Sequence, residues 1–466
     1  MRLAPSLLRC LAVSALVGAA AWGTAARPES AGVAAMREAA RLADRDRWSE
    51  AAARAEEGGA LVADLIAWRH LRDSADGDFL DYARFLGDHP DWPGLDLLRA
   101  NGERAILPGT PPGAVIAFFG GAAPQTGEGA TALAQALEAQ GRADEARAVV
   151  TDAWLGLPLT DTGQAAILAG YGNVVMGLHE RRVEAMLWRW RTSDAERMLP
   201  LLDDAHKALA RARVALIRGG RPDLDALPPG VRGDPGLAYD RFNHLAEDGE
   251  YGEALLLLKA RSTSADALGE PYRWGAWRAQ IARWLLREGR DAEAYDVASR
   301  HFIEGHSDVY ADLEWIAGFA ALRRLGDPEA ALQHFRASEA AVTGPISVSR
   351  AAYWTGRAEE DLGRPDDAAL SFARAARYQT AFYGLLAAER LGLTLDASLT
   401  GLEDFGDWRG EGSRLQGSLA QAMLLLLAAG ERGDARLFAL SLARTLPREG
   451  VGQLANLLEE MHEPYI

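Results

Sequence analysis

The residues able to do chemistry are sparse or scattered along this 466-residue chain. Cys10 is the single cysteine, which excludes an intramolecular disulfide, a cysteine-based zinc site and a thiol nucleophile with a resolving partner. The nine histidines form no ligand spacing: His301 and His306 lie five apart, off the i, i+4 interval that sets two ligands on one helix face. They are read as solvated or hydrogen-bonded side chains, and no metal or other cofactor is expected. Glycosidase chemistry needs a carboxylic acid beside a scissile bond, and usually two. The paired carboxylates Glu359-Glu360, Asp366-Asp367 and Glu459-Glu460 fall where solvated helix faces are expected instead. Thirteen tryptophans are many for an alanine-rich chain. They suit either interhelical packing or platforms for sugar rings and peptides, with packing the expected role of each, including Trp188, Trp190, Trp274, Trp277 and Trp284. No dinucleotide fingerprint, P-loop, serine-hydrolase elbow or zincin motif occurs.

The elements that must position such groups are helices. From Ala34 to about His462 apolar residues recur at three and four, not at two. Short stops interrupt them: Gly141-Arg-Ala-Asp-Glu-Ala146, Gly249-Glu-Tyr-Gly-Glu-Ala254, Gly289-Arg-Asp-Ala-Glu-Ala294, Gly326-Asp-Pro-Glu-Ala330, Gly363-Arg-Pro-Asp-Asp-Ala368 and Gly430-Glu-Arg-Gly-Asp-Ala435. Glycine closes one helix in the left-handed conformation, while proline and acidic residues suit the first turn of the next. The alanine about five residues on lets two antiparallel helices approach closely. Gly249, Gly289, Gly326 and Gly363 follow at intervals of 40, 37 and 37 residues. Units of that length cannot bury their faces alone and must stack. The expected fold is therefore all-α, a tetratricopeptide-like superhelical array of αα-hairpins, U- or ring-shaped. Irregular stretches are expected at Leu107–Gly113, Arg221–Leu237 and Leu391–Arg414. Val115–Phe119, between glycines, has a composition that also suits a strand, but its isolation favours a buried helical turn.

The charge, 50 basic against 66 acidic residues for a net −16, argues against nucleic acid as a partner. The first 26 residues place Arg2 and Arg9 before an apolar run, Cys10–Trp22, that is too short to span a bilayer and is followed by small residues. They read as a cleavable secretory signal peptide, and no later stretch is expected to insert stably in a membrane. The resulting division is a leader over 1–26, an N-terminal helical part over 27–225 and a C-terminal part over 226–466 that ends in the start of a linker.

Particular residues also carry a family resemblance. Ser349-Arg-Ala-Ala-Tyr-Trp-Thr-Gly-Arg357, the turn Gly363–Ala368 and Thr380-Ala-Phe-Tyr-Gly-Leu-Leu-Ala-Ala-Glu-Arg-Leu-Gly392 closely resemble the helical region of soluble lytic murein transglycosylases. So do Ala294–His301, Asp312–Pro328 and Ala331–Phe335; Asp81–Leu86, Leu98-Arg99 and Gly127–Trp154 look like its earlier helices. The resemblance implies a periplasmic protein acting on peptidoglycan. In that family a superhelix precedes a lysozyme-like domain whose glutamate protonates the oxygen between N-acetylmuramic acid and N-acetylglucosamine, and the muramyl 6-hydroxyl closes a 1,6-anhydro ring. The family's Glu-Ser-Gly and Gly-Leu-Met-Gln motifs do not occur here, so no catalytic residue carries over. A truncated chain and a catalytic domain on a separate chain both fit; an uncapped last hairpin would favour truncation.

The expected function is a peptidoglycan-associated superhelical module of a lytic transglycosylase, inert alone, that orients glycan strands for a lysozyme-like domain or another cell-wall enzyme. The alternative is a periplasmic protein–protein scaffold of tetratricopeptide type. Candidate glycan contacts are Trp354, Arg357 and Tyr383, aromatic and guanidinium groups within the best-matching stretch.

Overall fold

The computed structural model describes residues 30–466 apart from 75, 306, 402, 411, 464 and 466. The expected leader over 1–26 and His306 lie outside the described residues. Among the described residues there are helices and turns but no strand. In chain order the helices begin with α1 (Ala31–Ala43), α2 (Trp48–Glu57), α3 (Ala60–Asp73), α4 (Phe79–Asp88), α5 (Leu95–Arg104), α6 (Pro112–Phe119), α7 (Gly127–Ala139), α8 (Ala143–Gly156) and α9 (Asp161–Val175). There follow α10 (His179–Trp188), α11 (Thr192–Met198), α12 (Asp204–Ile217), α13 (Pro235–Glu247), α14 (Tyr251–Arg261), α15 (Ala265–Leu268), α16 (Pro271–Arg287) and α17 (Asp291–Ser299). The last are α18 (Asp308–Ala320), α19 (Pro328–Ala340), α20 (Pro345–Asp361), α21 (Pro365–Ala375), α22 (Phe382–Arg390), α23 (Ser418–Ala429), α24 (Arg432–Thr445) and α25 (Arg448–Glu460). Val115–Phe119 is the body of helix α6 and not a strand.

The hairpin turns follow the glycine pattern. Gly141, Gly249, Gly289, Gly326, Gly363 and Gly430 all have positive φ, between 69° and 90°. At Gly363 the N–H bonds Glu360 and the following Arg364 N–H bonds Glu359, which satisfies two carbonyls at the end of α20. Each alanine five residues past the glycine, Ala146, Ala254, Ala294, Ala331, Ala368 and Ala435, is buried where the two helices of the hairpin meet. The Gly326 turn differs. A π-helical turn, Ala321–Leu325, precedes it, and the Asp327 N–H reaches back to Ala321. Side-chain caps start several helices, among them Thr126 on α7, Asp234 on α13, Ser307 on α18 and Asp327 on α19.

The chain divides into two compact units: residues up to Met176 together with Asp404–Ile466, and Gly177–Glu403. The first is discontinuous. Its core joins Trp68, Tyr82 and Trp92 to Met423, Phe438 and Leu442. The Phe438 ring lies 5.1 Å from Trp68 and 5.0 Å from Trp92, edge-on to both. Arg37 donates to the last carbonyls of α23, and Arg72 reaches Asp434 at 3.0 Å. The second unit stacks α10 to α22, with buried cores at each hairpin. Arg221–Leu237 is irregular, yet Leu227, Val231 and Leu237 pack on Leu209, Ala212 and Leu216, and Arg221 pairs with Asp248 and Glu250. That burial ties the stretch into the second unit, whereas the junction at Glu403/Asp404 falls inside the irregular Leu391–Arg414.

Candidate functional site

In the second unit α16 packs on α18 and α20 packs on α22, alternating along the chain with α17, α19 and α21. On α18 the partly exposed positions among 311–320 are Asp312, Trp315 and Phe319; on α20, among 349–359, they are Arg350, Trp354 and Arg357. Both sets recur at three and four residues, so each is one helical face. A solvated face ordinarily carries lysine and glutamate. Here it carries aromatic rings and arginines.

The rings form a connected surface. Trp315 stacks on Phe319 at 5.5 Å, and Trp354 stands edge-on to Trp315 at 6.1 Å and to Phe319 at 5.3 Å. Tyr383, from α22, lies 6.4 Å from Trp354 and 5.4 Å from Tyr353. The structure thus brings Trp354 and Tyr383 together. Arg357, one turn beyond Trp354, pairs with Glu360 at 3.2 Å and stands 3.5 Å from the Tyr353 hydroxyl. The indole N–H groups of Trp315 and Trp354 have no hydrogen-bond partner among the described residues. Trp315, Phe319 and Arg350 escaped the sequence reading, although the i, i+3, i+7 spacing of Asp312, Trp315 and Phe319 was a usable signal.

This surface adjoins a pocket of about 510 Å³ between α16, α18 and the start of α20. Arg283 holds both Asp312 oxygens, at 2.8 and 2.7 Å, through one terminal nitrogen. Arg350 approaches the same carboxylate at 3.5 Å with its guanidinium 4.8 Å over the Trp315 ring. A second pocket, of about 340 Å³ in the first unit, is lined mainly by apolar residues such as Ile116, Leu133 and Leu137. The Arg142 and Glu145 on its wall are bonded to each other at 2.7–2.8 Å.

Behind the aromatic surface lies a chain of hydrogen bonds. Glu314 takes His301 Nε2 at 2.9 Å and His334 Nδ1 at 2.7 Å, and the Tyr295 hydroxyl meets His334 Nε2 at 3.1 Å. The Ile303 N–H donates to His301 Nδ1, so the ring proton of His301 sits on Nε2, toward Glu314. Against the cost of burial, the two histidines draw the Glu314 carboxyl down to about 2. It is held ionised, the opposite of a proton donor. Asp240 is pushed up to about 7 by burial, but it is sealed on Arg213 at 2.6 Å with no exposed atom for a substrate to meet. Glu359 corrects the expectation of a solvated Glu359-Glu360 pair. It is 3% exposed because Ser371 donates to it from α21 at 2.6 Å and Arg336 from α19 at 3.0 Å. Asp366, Asp367, Glu459 and Glu460 are exposed. Among the described residues, the grouping nearest a metal-ligand set is Glu180, Asp203 and His206. It is largely exposed, and Asp203 is already engaged in capping α12.

The tryptophans differ in burial. Trp68, Trp154 and Trp274 are fully buried, Trp274 with its N–H on the Leu268 carbonyl at 3.0 Å. Trp190 is 44% exposed under the Arg273 guanidinium.

No family model and no curated protein matches the chain. Among solved structures it is similar to an inactive mutant of the lytic transglycosylase Slt from Pseudomonas aeruginosa, at 17% identity and TM-score 0.56, over 91% of this chain and 66% of that one. It is also similar to the soluble lytic transglycosylase SLT70 from Escherichia coli, at 14% identity and TM-score 0.52, over 92% and 68%. A complex of the 70-kDa soluble lytic transglycosylase with bulgecin A gives 15% identity and TM-score 0.53 over the same shares. The chain spans about two thirds of the length of these structures. At such identity the likeness concerns the fold, an all-helical array of stacked hairpins.

Proposed function

We propose that this chain is a peptidoglycan-holding helical module of a lytic transglycosylase, working in the periplasm after export on the leader at 1–26. The observation that carries the proposal is the partly exposed stripe of Trp315, Phe319, Trp354 and Tyr383 interleaved with Arg350 and Arg357. Aromatic faces take sugar rings, while guanidiniums take the carboxylates that muramyl groups and peptides carry. The fold likeness to structures named as lytic transglycosylases supports the same reading. Cleavage is assigned to a lysozyme-like domain, since Glu314 is held ionised and Asp240 is sealed from substrate on Arg213.

The test is retention on purified sacculi without added protein. The chain should be retained at physiological salt, and R357Q and Y383A should each weaken retention by roughly tenfold, about 1.4 kcal/mol. With a net charge of −16 the grip depends on local groups, so retention should change little between low and physiological salt. Absence of retention, with capture of a cell-wall enzyme instead, would favour the scaffold.

A further inference from the structure

The pocket of the first unit, between the end of α6, α7 and α8, has no part in the aromatic stripe, which belongs to the second unit. Buried Phe119, Leu133 and Leu137 line it together with the partly exposed Ile116 and Val149. Apolar side chains around about 340 Å³ of space offer water few partners, so an apolar guest of that size gains by displacing it. The wall is fixed before a guest arrives. Gly120 and Gly121, both at positive φ, turn the chain out of α6. The buried Glu103 carboxylate of α5 then accepts the Gln125 N–H at 2.9 Å and the Thr126 N–H and hydroxyl at 2.7 Å each, pinning the segment that sets Ala122, Ala123 and Pro124 along the pocket. Three charged side chains, all exposed, complete the lining: Arg142, Glu145 and Asp152. Arg142 and Glu145 offset each other through two bonds of 2.8 and 2.7 Å. The other charged groups of α8, Asp144 and Arg147, pair with one another, and α6 and the segment 120–126 carry no charge. Asp152 shares one face of α8 with Glu145 and Val149 and has no hydrogen-bond or ion-pair partner among the described residues. One negative charge is thus left unmatched beside an apolar cavity.

We propose that this pocket binds a small amphiphilic cation, an apolar body the size of a phenylalkyl chain with one ammonium that meets Asp152 at the mouth. The body supplies most of the affinity, because an ion pair on an exposed carboxylate contributes only a few-fold. The charge decides which apolar molecule is preferred.

The experiment is calorimetric titration of the full chain, at low ionic strength, with phenylbutylamine, phenylbutanol, phenylbutyrate and butylamine. Phenylbutylamine should bind roughly threefold more tightly than the alcohol, and the carboxylate should bind least tightly. Butylamine, which lacks the ring, should bind roughly tenfold more weakly than phenylbutylamine. D152N should remove the preference for amine over alcohol while leaving the alcohol unchanged, and added salt should diminish the same preference. V149F, which fills the space from a partly exposed position, should weaken amine and alcohol alike by roughly tenfold. Circular dichroism establishes that each variant is folded. Equal binding of amine and alcohol by the unaltered chain overturns the proposal without any variant, as does butylamine binding as tightly as phenylbutylamine. A preference for the amine that survives in folded D152N overturns it too, because the cation then sits elsewhere on an acidic protein. Undiminished binding in folded V149F removes the pocket as the site.

Discussion

Glu314 is held between His301 and His334, with Tyr295 closing the chain. Its carboxyl is lowered from the ordinary 4.5 to about 2, a difference worth roughly 3 kcal/mol in favour of the ionised folded form. A depressed carboxylate contributes fully above its unfolded value and loses that contribution as pH falls through its folded one. E314Q should therefore lower stability by roughly 2–3 kcal/mol at pH 7, and the gap to the unaltered protein should narrow between pH 4.5 and pH 2. Denaturant unfolding at a series of pH values measures it, and a gap that widens on acidification contradicts the assignment. None of this chain was legible in the sequence. Its members come from three helices and a loop, and His301 was weighed only against His306. Glu359 shows the same limit: next to Glu360 it reads as solvated, and only Ser371 and Arg336, from neighbouring helices, make burial tolerable.

The helical hairpin was legible because its signals are local. A glycine that ends one helix and an alanine five residues later specify both the turn and the close approach that follows. Two glycines separate these demands. Gly363 has φ +71° and open space around the position of a side chain, so G363A should cost only the left-handed conformation, about 1 kcal/mol. Gly384 is different. A β-carbon there would stand 2.0 Å from the Tyr378 carbonyl oxygen, on backbone that cannot move aside. G384A should cost about 3 kcal/mol or more, by overpacking α22 against the segment before it. Thermal unfolding followed by circular dichroism should rank them in that order; the reverse order would mean that α22 is not seated as described. The aromatic stripe was half legible: Trp354, Arg357 and Tyr383 were singled out in one stretch of sequence. Trp315 and Phe319 join them through the stacking of hairpins, which periodicity within a single helix does not reveal.

For the molecule as a whole, repeats implied an array but not which parts of it would share a core. The first unit unites the two ends of the described chain, a pairing that no local pattern records. Trp68 and Phe438 should accordingly be energetically coupled: a double-mutant cycle of W68A and F438A should give an interaction of about 0.5–1.5 kcal/mol. The same cycle between W68A and W354A should give a value near zero, since those residues belong to different units. Strict additivity of the first pair would remove the shared core. The discontinuity also sets a timetable for biosynthesis. Arg72 and Asp434 are 362 residues apart, so at about 5–20 residues per second the early half of that core waits roughly 20–70 s for the part that completes it. Hairpins between Gly177 and Glu403 meet their next neighbour as soon as it emerges from the ribosome. The amino-terminal helices, whose core is completed only by residues of α23 to α25, stay short of their final packing for that interval.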